Sequence, residues 1–187
     1  MIDLSWQPPT LTTARLVLRP FTPRDAEALF RVASNANVTR YTLWSTHRTL
    51  EDSETFITSY ARAQYQQQVP EPLAICPVSD LSEIMGAVGC FWAAREHQSM
   101  ELGYWVGEPW WGQGFAGEAA RALVTYVFEE YLVQRIQAHC VVQNDASARV
   151  LEKLGLQFEG VTRSAALLRG TFYDVKRYAI LKHEWKG

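Results

Sequence analysis

The sequence predicts one α/β domain, spanning residues 1–187, around a mixed β-sheet. Alternating apolar residues at 13–21 and 171–181 are typical of strands, whereas apolar residues four apart at 118–132 are typical of a helix. The elements follow in the order β α α β β β α β α β β, and a chain of 187 residues suits a single core.

The N-terminal half begins with a predicted strand, "TARLVLRPF", that stops at Pro20. A helix follows over "TPRDAEALFRVASN", because Thr22 suits an N-cap and Pro23 suits the first helical position. A second helix begins after Thr49, with acidic residues in its first turn, and runs to the glutamines before Pro70.

Three strands are predicted next, at 71–78, 83–95 and 99–107, and the polar turns between them favour an antiparallel meander. The helix at 118–132 precedes a short apolar strand at 135–142. A further helix at 145–155 is closed by Gly155, and strands at 156–163 and 171–181 complete the chain.

Composition excludes several functional classes. The chain is 48% hydrophobic with a net charge of -2, which gives no reason to expect a nucleic-acid or membrane partner. It shows neither a signal peptide nor a 20-residue apolar run, so a cytoplasmic location is expected. The four histidines have no metal-ligand spacing, and we expect no metal.

The stretch "WWGQGFAGEA" contains Gly112-x-Gly114-x-x-Gly117, the spacing of a dinucleotide-binding turn. A nicotinamide cofactor is disfavoured, because "EPWW" separates this turn from its strand and no acidic residue ends the next strand. A glycine-rich turn before a helix nevertheless binds phosphate through free backbone N–H groups and the helix dipole.

At these residues the chain resembles the GNAT superfamily of acetyl-CoA-dependent N-acetyltransferases, whose pyrophosphate loop reads Gln/Arg-x-x-Gly-x-Gly/Ala. Trp111 stands at the first position of that pattern. The resemblance implies acetyl-CoA as co-substrate, with its pyrophosphate on the loop residues Gly112, Gln113, Gly114, Phe115, Ala116 and Gly117.

The stretches "TARLVLRPFTPRDAEALF", "ELGYWVGEPWWGQGFAGEA", "NDASARVLEKLG" and "FEGVTR" are similar to the ribosomal-protein N-terminal acetyltransferase (Rim-type) branch. That resemblance implies a twisted, mostly antiparallel sheet flanked by about four helices, with a splayed central pair of strands. It also implies that the main chain of Tyr104, Trp105 and Val106 contacts the pantetheine arm. Asn144 is expected to contact the same arm, although it also suits an N-cap.

The catalytic residues are also implied by the resemblance. Ser147 matches the serine proposed to assist the thiolate leaving group, although a serine near a helix start is also a common cap. The glutamate that some relatives carry falls on Ala166. Glu101 is therefore the best substitute for the base, with a solvated strand-edge carboxylate as the alternative.

Tyr41, Trp44 and Arg163 are candidates for the acceptor wall, with aromatic packing as the alternative for the first two. A homodimer is compatible with seven tryptophans. We expect acetyl transfer to a primary amine, above all the N-terminal α-amine of a protein or peptide. The other possibilities are a small amine (a polyamine, an amino acid or an aminoglycoside) and a non-catalytic acyl-CoA-binding protein.

Overall fold

The computed structural model describes residues 5–187, which form an eight-stranded sheet in the order β1-β2-β3-β4-β5-β6-β8-β7. The strands are Leu11–Thr12 (β1), Leu16–Pro20 (β2), Leu73–Pro77 (β3), Gly86–Ala94 (β4), Ser99–Val106 (β5), Arg135–Val141 (β6), Gln157–Leu168 (β7) and Thr171–Leu181 (β8). The helices are Ala26–Ala33 (α1), Ala36–Thr39 (α2), Leu50–Thr55 (α3), Arg62–Gln66 (α4), Phe115–Glu130 (α5) and Asp145–Lys153 (α6).

The predicted mixed, mostly antiparallel sheet is confirmed, and two short elements, β1 and α2, were not predicted. The helix expected after Thr49 is present, but a π-helical segment, Phe56–Ala61, joins α3 to α4. Within residues 5–187, no helix combines the length and the apolar character needed to cross a bilayer.

Strands β5 and β6 are the only parallel neighbours in the described part of the chain, and they splay apart. Their register runs from Ser99 opposite Arg135 to Glu101 opposite Gln137, and pairing then stops. The remaining five residues of β5 stay paired with β4 on their other side. A wedge-shaped gap therefore opens between the two strands toward their C-terminal ends.

Alternation along β5 gives its two faces different partners. Met100, Leu102 and Val106 belong to the main core, together with the buried side of α5. Trp105 packs in a second core, on the side of α1 and the π-helical segment. The gap thus has one side below α5 and another facing the N-terminal helices.

A buried ion pair joins β2 to the start of α1. Arg19 Nη2 lies 2.7 Å from Asp25 Oδ1, and the Asp25 side chain is only 6% exposed. Burial opposes ionisation of Asp25, but the hydrogen bonds from Arg19 and Thr22 outweigh it and lower the carboxyl pKa. Because the pKa is lowered on folding, this stabilisation is present above the ordinary pKa and is lost as the pH falls through the folded value.

We expect Asp25→Asn to lower the free energy of unfolding by about 2 kcal/mol at pH 7, because it removes the charged partner of Arg19 and leaves that partly buried cation with only the Pro20 and Leu81 carbonyls. Urea unfolding measures the loss, which should shrink as the pH falls below 3.8. Glu27→Gln removes an exposed carboxylate from the same helix and serves as the control, with an effect under about 0.5 kcal/mol. Equal losses for both variants would contradict the prediction.

Candidate active site

The glycine turn before α5 forms an anion site. Gly112 and Gly114 have φ angles of 75° and 82°, which glycine adopts without strain. The first backbone hydrogen bond of this helix runs from Glu118 N–H to Gly114 O, at 3.0 Å. The N–H groups of the first helical turn before it are thus directed beyond the end of the helix. A methyl group at Gly117 would meet no atom within 4 Å.

The turn between β1 and β2 holds this loop in place. Thr13 Oγ1 donates to Glu118 Oε1 at 2.6 Å, and Arg15 Nε donates to Glu118 Oε2 at 2.7 Å. Arg15 also donates to Gln113 O at 3.1 Å and lies over the Phe115 ring. Burial opposes ionisation of Glu118, but these hydrogen bonds outweigh it and lower its pKa. The cation of Arg15 therefore stands beside the anion site.

The main chain of β5 is divided between β4 and the gap. Trp105 O points toward β4, since a Cβ on Gly86 would lie 2.1 Å from it. Val106 O points the other way and accepts a 2.6 Å hydrogen bond from Trp111 Nε1. Because successive carbonyls alternate along a strand, that of Tyr104 faces the gap. Of the three predicted contacts to the pantetheine arm, the structure places Tyr104 and Val106 at the gap but not the Trp105 carbonyl.

On the α6 side of the gap, Tyr104 and Ser147 meet. Tyr104 Oη lies 3.0 Å from Ser147 Oγ and 3.1 Å from the Ser147 carbonyl. Burial raises the pKa of Tyr104, so its hydroxyl stays protonated and can donate. Asn144 caps α6 by accepting from Ser147 N at 3.2 Å, so its capping role is present and its amide NH₂ remains for a ligand.

On the opposite face of β5, Glu101 is held at the point where the gap begins. Gln137 Nε2 donates to Glu101 Oε2 at 2.9 Å, and His139 Nδ1 lies 2.7 Å from Glu101 Oε1. Burial opposes ionisation of Glu101, but the His139 and Gln137 contacts outweigh it and lower its pKa. Two residues further along this face, a side chain on Gly103 would meet nothing within 4 Å. Glu101 thus borders open space as a carboxylate.

The segment after α2 lies across the open end of the gap. Trp44 packs edge-on against Trp105 with ring centroids 5.2 Å apart. Tyr41 packs against the cluster that contains Val141, at the end of β6, and Ala166. Ala166 is buried in this apolar cluster, where the resemblance led us to look for a base.

Tyr41 and Trp44 therefore lie at the mouth, whereas Arg163 is exposed on an irregular stretch of β7. Within the described residues, Arg163 forms no hydrogen bond with Trp44 and no hydrogen bond or ion pair with Glu101.

Sequence reasoning missed several residues: Arg15 beside the glycine turn, Gln137 and His139 beside Glu101, and the bonded pair Tyr60 and Glu71 against β4. Alternation within "RIQAHCVV" could have placed Gln137 and His139 on one face. It also missed a cavity of about 530 Å³ bounded by Trp44, His47, Phe56 and Tyr60. Residues 5–187 contain no cluster of histidine, cysteine, aspartate or glutamate suited to a metal.

A splayed strand pair beside a helix with a free N-terminal turn suits an extended ligand that carries a phosphate group. A model of the acetyltransferase (GNAT) domain matches residues 15–157, so the chain belongs to that family. It is an N-acetyltransferase of the acyltransferase class, and its homologues include ribosomal-protein N-acetyltransferases.

The similarity extends over almost the whole chain. It is 37% identical over 174 residues to the uncharacterized N-acetyltransferase YoaA of Bacillus subtilis, covering 93% of this chain and 97% of that protein. The ribosomal-protein-serine acetyltransferase of Escherichia coli is 29% identical over 97 residues, or 52% of this chain and 54% of the relative. A GNAT-family acetyltransferase structure from Bacillus anthracis superposes with a TM-score of 0.83 at 27% identity, covering 94% of this chain and 100% of that one.

The family uses acetyl-CoA, and the residues present fit it. The first turn of α5 supplies N–H donors for a pyrophosphate, and the gap supplies main-chain groups for an extended arm. The open space at Gly117 leaves the helix backbone accessible to such a group.

We expect Gly117→Ala to stabilise the ligand-free protein but weaken acetyl-CoA binding. Alanine favours the helix by about 0.5–1 kcal/mol, which raises Tm by a few degrees. Its methyl group would occupy the phosphate space and raise the Kd at least about 10-fold, or ~1.4 kcal/mol. Thermal unfolding and calorimetry measure the two effects.

Ala122→Gly, further along α5, makes the reverse change as a control. It should lower Tm and leave the Kd unchanged. An unaltered Kd for Gly117→Ala would show that the phosphate does not bind at this turn.

Proposed function

We propose that this enzyme transfers acetyl from acetyl-CoA directly to the N-terminal α-amine of a protein or peptide. The observation that carries the proposal is the open space on the β5 face at Gly103, between the Glu101 carboxylate and the Trp105–Trp44 pair. An ammonium group fits beside a carboxylate, and an apolar first side chain fits against tryptophan.

The nature of the amine follows from its proton. An α-amine has a pKa of about 7.7–8.0, so a useful fraction is neutral at physiological pH, whereas a lysine amine has a pKa of about 10.4. The lowered pKa of Glu101 makes it a good ligand for an ammonium but a weak proton acceptor. Such a site suits an amine that needs little help to lose its proton. The relative from E. coli is named a ribosomal-protein-serine acetyltransferase, and this similarity supports a protein as the acceptor.

We assign Ser147 to the departing sulfur. The one proton of the Tyr104 hydroxyl can go either to the Ser147 carbonyl or to Ser147 Oγ. In the second arrangement the serine hydroxyl is free to donate to a thiolate in the gap. The two hydroxyls form a short relay on the cofactor side, while Glu101 receives the amine from the opposite side.

A small amine is the second candidate acceptor, because the cavity beside Trp44 is lined by aromatic rings and is large enough for one. Asp52 also borders this cavity, but its carboxylate accepts from the N–H groups of Arg48 and Thr49 and caps α3. The Asp52 carboxylate is therefore already hydrogen-bonded at the start of α3 and is less available to bind an amine in the cavity.

We expect thiol release from acetyl-CoA with peptides that begin in free Ala, Ser or Met. Blocking the peptide N-terminus while keeping its lysines should abolish the reaction, because the α-amine is the acceptor. A panel of polyamines, amino acids and aminoglycosides is measured in parallel. Activity on these small amines, with peptides inert, would overturn the protein N-terminus as acceptor and leave the cofactor site intact.

Ser147→Ala should lower kcat on the order of 10²-fold through loss of proton donation, with little change in the acetyl-CoA Kd. Tyr104→Phe should lower kcat less, about 5- to 10-fold, since it removes one supporting hydrogen bond. In the double variant the Tyr104 effect should disappear, because both hydroxyls act through one path. Full additivity, or unchanged turnover in Ser147→Ala, would remove the relay from the mechanism.

A further inference from the structure

Glu71, in the loop before β3, has its carboxyl group against the face of the sheet that carries Gly89 and Gly103. A Cβ on Gly89 would lie 1.4 Å from Glu71 Oε2, so the carboxyl occupies the place where any other residue would project its side chain. Only glycine at position 89 permits this approach. The packing brings an acidic group directly onto the surface of β4.

That surface is shared with the open space in the site. Gly89 lies opposite Gly103, and Phe91 lies opposite Glu101, in the antiparallel register of β4 and β5. Residues opposite each other project to the same face, so the Glu71 carboxyl and the space at Gly103 are neighbours. Glu71 and Glu101 therefore border one opening from two sides.

The second oxygen of Glu71 is held from the helical side. Tyr60, on the π-helical segment, donates to Glu71 Oε1 at 3.0 Å and stacks on Phe56. Since Tyr60 also lines the aromatic cavity, Glu71 lies behind the wall of that cavity. Oε2 carries no hydrogen bond from the described residues, so this oxygen is available to a ligand.

We propose that Glu71 is the catalytic residue that accepts the proton of the incoming amine. The amine nitrogen forms a bond to the acetyl carbon as the carbon–sulfur bond breaks. The proton that the nitrogen gives up passes to Glu71 Oε2 and then to solvent. The departing sulfur takes a proton from Ser147 Oγ, which is reprotonated from solvent through Tyr104.

The electrostatics agree with this geometry. Burial raises the pKa of Glu71 to about 7, and the hydrogen bond from Tyr60 limits the rise. A base near neutrality combines availability with strength. The other titratable groups around it are Tyr65 from α4, Cys90 from β4 and Glu101 from β5. Burial raises the pKa values of Tyr65 and Cys90. Burial also opposes ionisation of Glu101, but its contacts with His139 and Gln137 lower its pKa, and His139 contacts Glu101 rather than Glu71.

The decisive experiment compares pH–rate profiles of the wild type, Glu71→Gln and Glu101→Gln. The proposal applies to any amine, so the rates use whichever acceptor of the panel reacts fastest, and failure of the N-terminal assignment does not affect it. Glu71→Gln should lower kcat on the order of 10²-fold at pH 7 and lose the acid limb near 7. Glu101→Gln should raise the acceptor KM and keep that limb.

Tyr60→Phe supplies a second test, because the Tyr60 hydrogen bond lowers the Glu71 pKa. Its removal should shift the acid limb to higher pH, which a merely structural role of Glu71 would not do. Glu129→Gln, an exposed change at the far end of α5, is the control for loss of a carboxylate.

A readout independent of activity comes from ligand-free stability. Since the pKa of Glu71 is raised on folding, its contribution to stability is lost as the pH rises from 4.5 to about 7. The Tm of Glu71→Gln should therefore gain on that of the wild type over this range, with an unchanged acetyl-CoA Kd. The proposal would be overturned if the activity of Glu71→Gln stayed within 3-fold of wild type. It would also be overturned if Glu101→Gln, rather than Glu71→Gln, lost the acid limb of the pH–rate profile.

Discussion

The site depends on one interruption of backbone pairing, where β6 leaves β5 after Glu101 and Gln137. Buried N–H and C=O groups without partners cost free energy, so a sheet does not open unless other groups satisfy them. Here the Trp111 indole satisfies the Val106 carbonyl, and the Tyr104 and Ser147 hydroxyls satisfy each other across the gap. The main-chain groups still facing the gap can pair with an extended ligand, which adds to the sheet as a strand would.

The strand beside the gap presents different groups on its two faces. Because side chains alternate along β5, Tyr104 points toward α6, whereas Glu101 lies on the same face as Trp105, which packs against α1. In the proposed reaction the first face meets the sulfur and the second meets the amine. A shift of register by one residue would exchange these groups and destroy both half-sites. The three paired residues at the base of the gap thus determine which group meets which substrate.

The sequence was sufficient for features carried by neighbouring residues. Thr22 and Pro23 begin a 3₁₀ turn, Pro23–Asp25, that leads into α1, so the predicted start lies three residues before the α-helix itself. The left-handed Gly155 follows α6, and the glycine turn lies directly before α5. Features that join distant segments were not predictable. The position of Glu71 depends on Gly89, eighteen residues later in the sequence. It also depends on Tyr60, which lies on a π-helical segment that the composition of the sequence does not indicate. The contact between Glu101 and His139 likewise requires the parallel register, which no local pattern specifies.

Two carboxyl groups at one opening with opposite pKa shifts have different uses. Glu101 is stabilised in its charged form by Gln137 and His139, so it favours an ammonium and has little affinity for a proton. Glu71 has one phenolic donor and is otherwise desolvated, so its charged form is disfavoured and it takes up a proton more readily. A pair whose environments separate the pKa values can bind the cation with one member and deprotonate it with the other. In the mechanism proposed here Glu71 therefore supplies the base beside the opening at Gly103, although Ala166 lies in an apolar cluster.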